Sequence, residues 1–289
     1  MQPMEITKAI LKNVYKKRAR EARKYDYGLL LVIGGSEFYS GSPAFSALAA
    51  FKAGVDMVRI FAPKRAADII ASFKPDLAAY PLEGSHLTKE HLSILVSMTE
   101  AAKAAARGKI AVVIGGGVGR TEDTQNMILE YLNQISVPAV IDADGIHAIA
   151  KKPDVIARKP FLITPHSSEF LLLTGKVVEG FTDEEKVKAV QEEAFRLKTT
   201  ILLKGPTDVI SNGRETALNK TGSGFMTKGG MGDTLAGIAG ALVARGMNPY
   251  EAGQAAAYIN GMAGDLAGRK FGESVMASDL INAITEVIN

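Results

Sequence analysis

The chain of 289 residues contains no cysteine, and its charges nearly cancel at +3. Without cysteine there are no disulfides, no thiolate nucleophile and no Cys-ligated metal, and the composition fits a reducing compartment. A net charge this small on this length gives no electrostatic footprint for nucleic acid. No apolar run approaches the ~20 residues that a membrane span needs. No short apolar segment with a cleavage site opens the chain, so a cytoplasmic location is expected. Linkers, low-complexity tracts and compositional breaks are also missing, which favours one domain over residues 1–289 although the length permits two. What remains is an ordinary globular composition, 47% hydrophobic.

Residues 1–24 hold a basic stretch from Lys8 to Lys24, read as a solvated helix packed on the body through Ile6, Ile10, Leu11, Val14 and Tyr15. From Gly28 the chain alternates short apolar runs with helical segments. Strands are expected at 28–35, 56–62, 110–115, 139–142, 161–164 and 200–204. Helices are expected at 43–54, 64–73, 89–107, 122–134, 183–197, 232–245, 250–266 and 277–288. A hairpin of 208–212 with 215–219 turns at Asn212-Gly213. Such an alternation implies a mostly parallel sheet covered on both faces, with ligands at the carboxyl ends of its strands.

Five strand ends carry glycine-rich or polar clusters: Gly34-Gly35-Ser36, Gly115 to Gly119, Asp142-Ala143-Asp144, Thr164-Pro165-His166 and Lys204-Gly205. The most informative stretch lies beyond them, Thr227 to Gly246. Gly229, Gly230 and Gly232 precede an Ala- and Leu-rich helix, with Asp233 at the junction. Glycines admit a ligand close to the backbone, and a helix start offers unpaired N–H groups and a positive dipole end. The pattern suits an anion. Asp233 is then either a helix cap or a base with proton work of its own. IGGGVGR lets main chain approach a pyrophosphate but is no dinucleotide fingerprint; a tight turn is the alternative. Asp142 reads as a polar site residue, able with Glu169 to serve Mg²⁺ through water, and Asp144 as the cap of the helix after it. His166 either meets a ligand or is structural, and Glu169 either orients water or completes a helix cap. Lys204 either neutralises phosphate or sits on a surface turn. No stretch matches the Walker pattern.

Six ordered segments resemble the ADP/ATP-dependent NAD(P)H-hydrate dehydratases of the ribokinase-like superfamily. They are VIGGSEFYSGSPAFSALAAFKAG, IGGGVGR, VIDADGIHAI, LITPHSSEFLLLTG, LLKGPTDVI and TKGGMGDTLAGIAGALVARG, running from Val32 to Gly246. The resemblance implies a three-layer α/β/α sandwich with a mostly parallel central sheet. It implies repair of hydrated NADH or NADPH, by phosphorylation of the ring hydroxyl and loss of phosphate at the expense of ATP or ADP. Asp233 matches the family's proton acceptor. Gly230 and Gly232 match its phosphoryl-stabilising amides. Lys204, Gly205, Pro206, Thr207 and Asp208, with Gly232, match the nucleotide stretch. Ser42, Gly117 and His166, with Asp233, match substrate contacts. Mg²⁺ is expected with the nucleotide, and a homo-oligomer, possibly a tetramer, by analogy with relatives. The chain looks like the dehydratase domain without the epimerase fused to it in some relatives.

Three positions depart from the family pattern. Ser42 stands where Ala is usual, Met231 where Thr is usual, and Asp208 where Thr is usual. Asp208 puts a carboxylate near phosphate and leaves the donor, ATP or ADP, open. The competing readings are a ribokinase-like kinase for a small alcohol, with the same Asp233, and a non-catalytic nucleotide-binding protein.

Overall fold

Apolar strands and the helices between them assemble one sheet in this computed structural model, which describes residues 3–289. In chain order the strands are β1 (Met4–Glu5), β2 (Leu29–Ile33), β3 (Met57–Pro63), β4 (Ala78–Leu82), β5 (Ile110–Ile114), β6 (Ala139–Ile141), β7 (Phe161–Ile163), β8 (Thr200–Leu203), β9 (Asp208–Ser211) and β10 (Thr216–Asn219). The helices are α1 (Leu11–Val14), α2 (Gly41–Lys52), α3 (Lys64–Phe73), α4 (Leu92–Ala105), α5 (Glu122–Gln134), α6 (Asp144–Lys151), α7 (Ser167–Thr174), α8 (Asp183–Leu197), α9 (Met231–Ala244), α10 (Pro249–Phe271) and α11 (Ala277–Ile288).

The strand order is β1-β10-β9-β8-β7-β6-β5-β2-β3-β4, with β9 antiparallel to both of its neighbours and every other pair parallel. Alternate residues of each strand serve opposite faces. Leu30 and Val32 pack with α2, α3, α9, α10 and α11, while Leu29, Leu31 and Ile33 pack with α4 to α8. The three-layer arrangement expected from the alternation is therefore present. The order reverses between β2 and β5, and such a switch point opens a crevice at the strand ends. There the two glycine loops interlock: Gly35 N–H donates to the Gly116 carbonyl at 2.9 Å.

Four elements differ from the expectations. The basic stretch is not one helix. A 3-10 turn at Lys8–Ile10 and α1 end by Val14, and the following residues run to β2 without helix. Tyr15 leaves the helical region, and Arg18 is drawn out to Asp56 Oδ1 at 2.8 Å and to the Gly54 carbonyl at 2.5 Å. Residues 1 and 2 of that stretch lie outside the described residues. The strand β4 has no counterpart in the sequence reading because Pro81 interrupts it; an edge strand tolerates proline. The two-residue β1, at the other edge, is too short to leave a periodic signal.

The last difference is α10, which does not stop at Leu266 but runs to Phe271. Its glycines close-pack rather than break the helix. A Cβ on Gly261 would lie 2.1 Å from Thr221 Oγ1, and one on Gly264 would lie 2.3 Å from Met226 Sδ. The strap Thr221–Met226 lies in the groove these positions leave.

Helix α9 meets α2 equally closely. A Cβ on Gly237 would stand 2.1 Å from the Ser46 carbonyl oxygen. Gly237→Ala is expected to push α9 off α2 and to lower stability by about 3 kcal/mol, at the upper end of ordinary overpacking. Urea unfolding checks it; an unchanged midpoint would show that the helices can part without cost.

Candidate active site

Helix α9 starts where the glycine run ends. Gly230 is its N-cap at φ 93°, a left-handed conformation that favours glycine, and a Cβ there would come within 2.9 Å of Phe45. Gly232 and Asp233 follow in the first turn, where N–H groups have no acceptor within the helix. A Cβ on Gly232 would be 3.6 Å from Lys204 Nζ and 3.8 Å from Asp142 Oδ2. The glycine at this position brings the end of β8 and the end of β6 against the helix start.

Lys204 organises the floor. Its ammonium is 2.8 Å from Asp142 Oδ1 and 3.7 Å from Glu169 Oε2. Thr164 donates to the same Asp142 oxygen at 2.8 Å. Burial pulls the lysine pKa down, but Asp142, Glu169 and Asp233 outweigh burial and hold it above the ordinary lysine value. Asp142 is aimed by a strained turn: Ala143 sits at φ 49°, ψ −123°, a region that non-glycine residues rarely adopt. On its other side Asp144 does not cap α6, as expected, but reaches back to Gly119 N at 3.0 Å and Arg120 Nε at 2.7 Å. It braces the IGGGVGR loop because the loop offers it donors and the helix start does not.

Asp233 is held from α2. Ser42 Oγ donates to Asp233 Oδ1, and Ser46 Oγ donates to the Asp233 carbonyl at 2.9 Å. Burial pushes the Asp233 carboxyl up to about 6, with Asp142 adding to the rise and the Ser42 hydroxyl and Lys204 opposing it. A carboxyl with that affinity is ionised at neutral pH and basic enough to take a proton.

A cleft of about 720 Å³ opens over these groups. Among the expected residues, Gly230, Gly232, Asp233, Lys204, Gly205, Pro206, Asp208, His166, Asp142 and Glu169 line it. Ser42, Gly117 and Thr207 do not. Ser42 is buried behind Asp233, and Gly117 packs under Tyr39, whose Cβ a Gly117 side chain would meet at 2.8 Å. Thr207 turns away to donate to Asp183 Oδ2 at 3.1 Å. His166 is itself the cap of α7: its Nδ1 accepts from Ser168 N and Glu169 N, and Glu169 Oε2 accepts from His166 N at 2.9 Å. His166 Nε2 lies 3.4 Å from Glu169 Oε1 at the border of the cleft. Asp208 spends its carboxylate on Gly205 N and Asn219 Nδ2, both at 3.0 Å, and burial raises its pKa to about 6. Asp142 and Glu169 do not form a Mg²⁺ cage, since Lys204 takes the place between them, and no group of three or more potential ligands clusters among the described residues.

A sequence model of the NAD(P)H-hydrate dehydratases matches residues 30–286. The chain belongs to the NAD(P)H-hydrate dehydratase family. Within this family it is 34% identical over 289 residues to the ADP-dependent (S)-NAD(P)H-hydrate dehydratase of Nitrosopumilus maritimus, covering 98% of this chain and 96% of that one. It is 40% identical over 273 residues to the bifunctional NAD(P)H-hydrate repair enzyme Nnr of Pyrobaculum aerophilum, covering 94% of this chain but 52% of that protein. The chain thus spans about half the length of several relatives it matches. Among solved structures, a ribokinase-like superfamily protein from Enterococcus faecalis superposes with a TM-score of 0.83 at 23% identity, covering 99% of this chain and 95% of that one. The ADP/ATP-dependent NAD(P)H-hydrate dehydratase of Bacillus subtilis, co-crystallised with ATP/Mg²⁺, gives a TM-score of 0.81 at 23% identity, covering 99% and 98%. The fold is ribokinase-like.

In this dehydratase-family chain the sequence reading missed one wall of the cleft. The strap from Thr221 to Lys228 and Ala257, Asn260 and Gly261 of α10 complete it. Asn260 is placed by Thr234, which donates to its Oδ1 at 2.7 Å, and by the Met231 carbonyl, which accepts from its Nδ2 at 3.3 Å. The recurrence of Gly261, Gly264 and Gly268 on one helical face was the available signal. Met231 is buried, and its backbone carbonyl takes part in this anchoring whatever the side chain.

Lys204→Met keeps the stem and removes the charge, leaving Asp142 and Glu169 unpaired with side chains only 5% and 6% exposed. Breaking a buried pair in this way is expected to cost about 3 kcal/mol at pH 7. Thermal unfolding at pH 7 checks this; an unchanged melting temperature would count against the charge cluster.

Proposed function

We propose that this chain restores hydrated NADH or NADPH to the usable cofactor, coupled to hydrolysis of ADP or ATP. The observation that carries the reading is Asp233: a half-buried carboxylate, raised to about 6, at a glycine-capped helix start beside the Lys204 ammonium. The family match supports the same chemistry.

The nucleotide's phosphates lie against Lys204 and the amides of Gly230 and Gly232, which supply positive charge where negative charge develops in transfer. Gly205, Pro206 and Asp208 border the rest of the nucleotide, and Asp208 acts by holding the Gly205 loop in shape. Asp233 takes the proton of the ring hydroxyl as its oxygen bonds to phosphorus and the bond from phosphorus to the nucleotide breaks. Loss of phosphate from the ring carbon, with a proton from the neighbouring carbon, then restores the double bond. His166 Nε2–H offers a donor to the dinucleotide. Mg²⁺ arriving as the nucleotide's counter-ion, on phosphate oxygens and water, would neutralise phosphate charge.

Pure protein with hydrated NADH and either ADP or ATP is expected to regain NADH absorbance and release one phosphate per NADH. A stable phosphoester with no regained absorbance would instead favour the kinase reading. Because Asp233 must be ionised to act, kcat/KM should fall about tenfold per pH unit below about pH 6, not below the usual carboxylate range near 4. Asp233→Asn is expected to lose turnover by at least ~10²-fold while still binding nucleotide. A carboxyl whose pKa is raised on folding loses stability as pH rises through that range, so this variant should melt no lower than wild type at pH 7. Full activity in the variant would remove Asp233 from the role of base.

A further inference from the structure

We propose that Ser42 is a positioning residue that works through Asp233, fixing one carboxylate oxygen so that the other is presented to the substrate hydroxyl. This rests on the dehydratase reading.

Ser42 and Ser46 are one turn apart in α2, and both hydroxyls end on the same residue: Oδ1 of Asp233 and its carbonyl. The two helices are locked at that level by Gly237, whose missing side chain lets the Ser46 carbonyl approach. The Ser42–Asp233 pair also needs a backbone-only neighbour. A Cβ on Gly116 would lie 2.2 Å from Ser42 Oγ and 3.0 Å from Asp233 Oδ1. Ser42 is 7% exposed and does not line the cleft, whereas Asp233 does. A ligand in the cleft therefore meets the carboxylate and not the hydroxyl.

An ionised carboxylate can only accept, so the Ser42 hydroxyl donates. The bond favours the ionised form and takes Oδ1 out of competition for the substrate proton. The charged groups facing Asp233 are Asp142 from the end of β6, which opposes ionisation, and Lys204 from the end of β8, which favours it. Glu169, Asp208 and Lys228 stand farther round the same cleft. From the helices, α2 presents the two serine hydroxyls, while the Asn260 amide of α10 is spent on Thr234 and the Met231 carbonyl. Among the described residues, Ser42 is thus the uncharged side chain whose hydrogen bond favours the ionised carboxylate.

The test is Ser42→Ala and Ser42→Thr in the full chain. Rates are followed against pH, and the Asp233 carboxyl is titrated by ¹³C NMR, its resonance assigned by its absence in Asp233→Asn. In Ser42→Ala both the NMR midpoint and the acid limb of kcat/KM are expected to rise by about one pH unit. That is about a tenfold loss on the acid side, shrinking to about twofold or less on the alkaline plateau, with KM for both substrates unchanged. Ser42→Thr should return the midpoint to the wild-type position. An unmoved midpoint in Ser42→Ala, or a loss equal at every pH and carried by KM, would overturn the proposal. Wild-type protein inactive on hydrated NADH would fail the dehydratase reading, and the NMR midpoint would still decide whether Ser42 governs Asp233.

Discussion

One half-buried ammonium holds the active end of the molecule together. Lys204 extends from β8 and is shared by Asp142 at the end of β6 and Glu169 in the first turn of α7. Two strand ends and a helix start are thereby tied to one point. Carboxylates this close could not remain charged and buried without it, because the desolvation of each ion exceeds what hydrogen bonds alone return. The same charge faces the glycine-capped start of α9, so the structural knot and the anion-binding surface are the same object. A phosphate arriving there meets a cation already neutralised in part, alongside amides whose orientation is fixed. This favours transfer chemistry over tight ground-state binding.

Glycines decide how closely the other parts approach that point. Gly237 lets α2 touch α9, Gly116 lets the Ser42–Asp233 pair form, and Gly232 admits Lys204 and Asp142. On the opposite wall Gly261 and Gly264 let the strap lie in the surface of α10. The contacts set backbone against backbone at Gly237, against serine and threonine hydroxyls at Gly116 and Gly261, and against the ends of Lys204, Asp142 and Met226 at Gly232 and Gly264.

Much of this was legible in the chain. The apolar runs and helical segments placed most of the sheet, because burial on both faces demands continuous hydrophobic strands. Lys204, Asp142, Glu169, His166, Gly232 and Asp233 were all marked by their position at strand ends or a helix start, and all line one cleft. The failures have physical causes. The basic stretch kept its helical pattern only to Val14, since Arg18 finds partners on Asp56 and Gly54. Proline hid β4. The end of α10 lies five residues beyond the expected Leu266, at Phe271, and its glycines serve as a packing surface. Asp144 looked like a cap and became a brace, because its donors are 24 and 25 residues away in sequence.

The sequence by itself determined the layer order, the apolar faces and the residue types gathered at the strand ends, because hydrophobic period and chain direction are local properties. It also determined the family, since six motifs in order carry that information. Only the tertiary structure decided which groups share a proton or a charge. The Asp233 carboxyl stands above the ordinary carboxylate range because burial and Asp142 raise it, while Ser42, 191 residues away in sequence, donates to it and opposes the rise. Ser42, Gly117 and Thr207 moved off the cleft wall for the same reason: where a side chain points is set by what packs behind it, and that is a property of the folded chain.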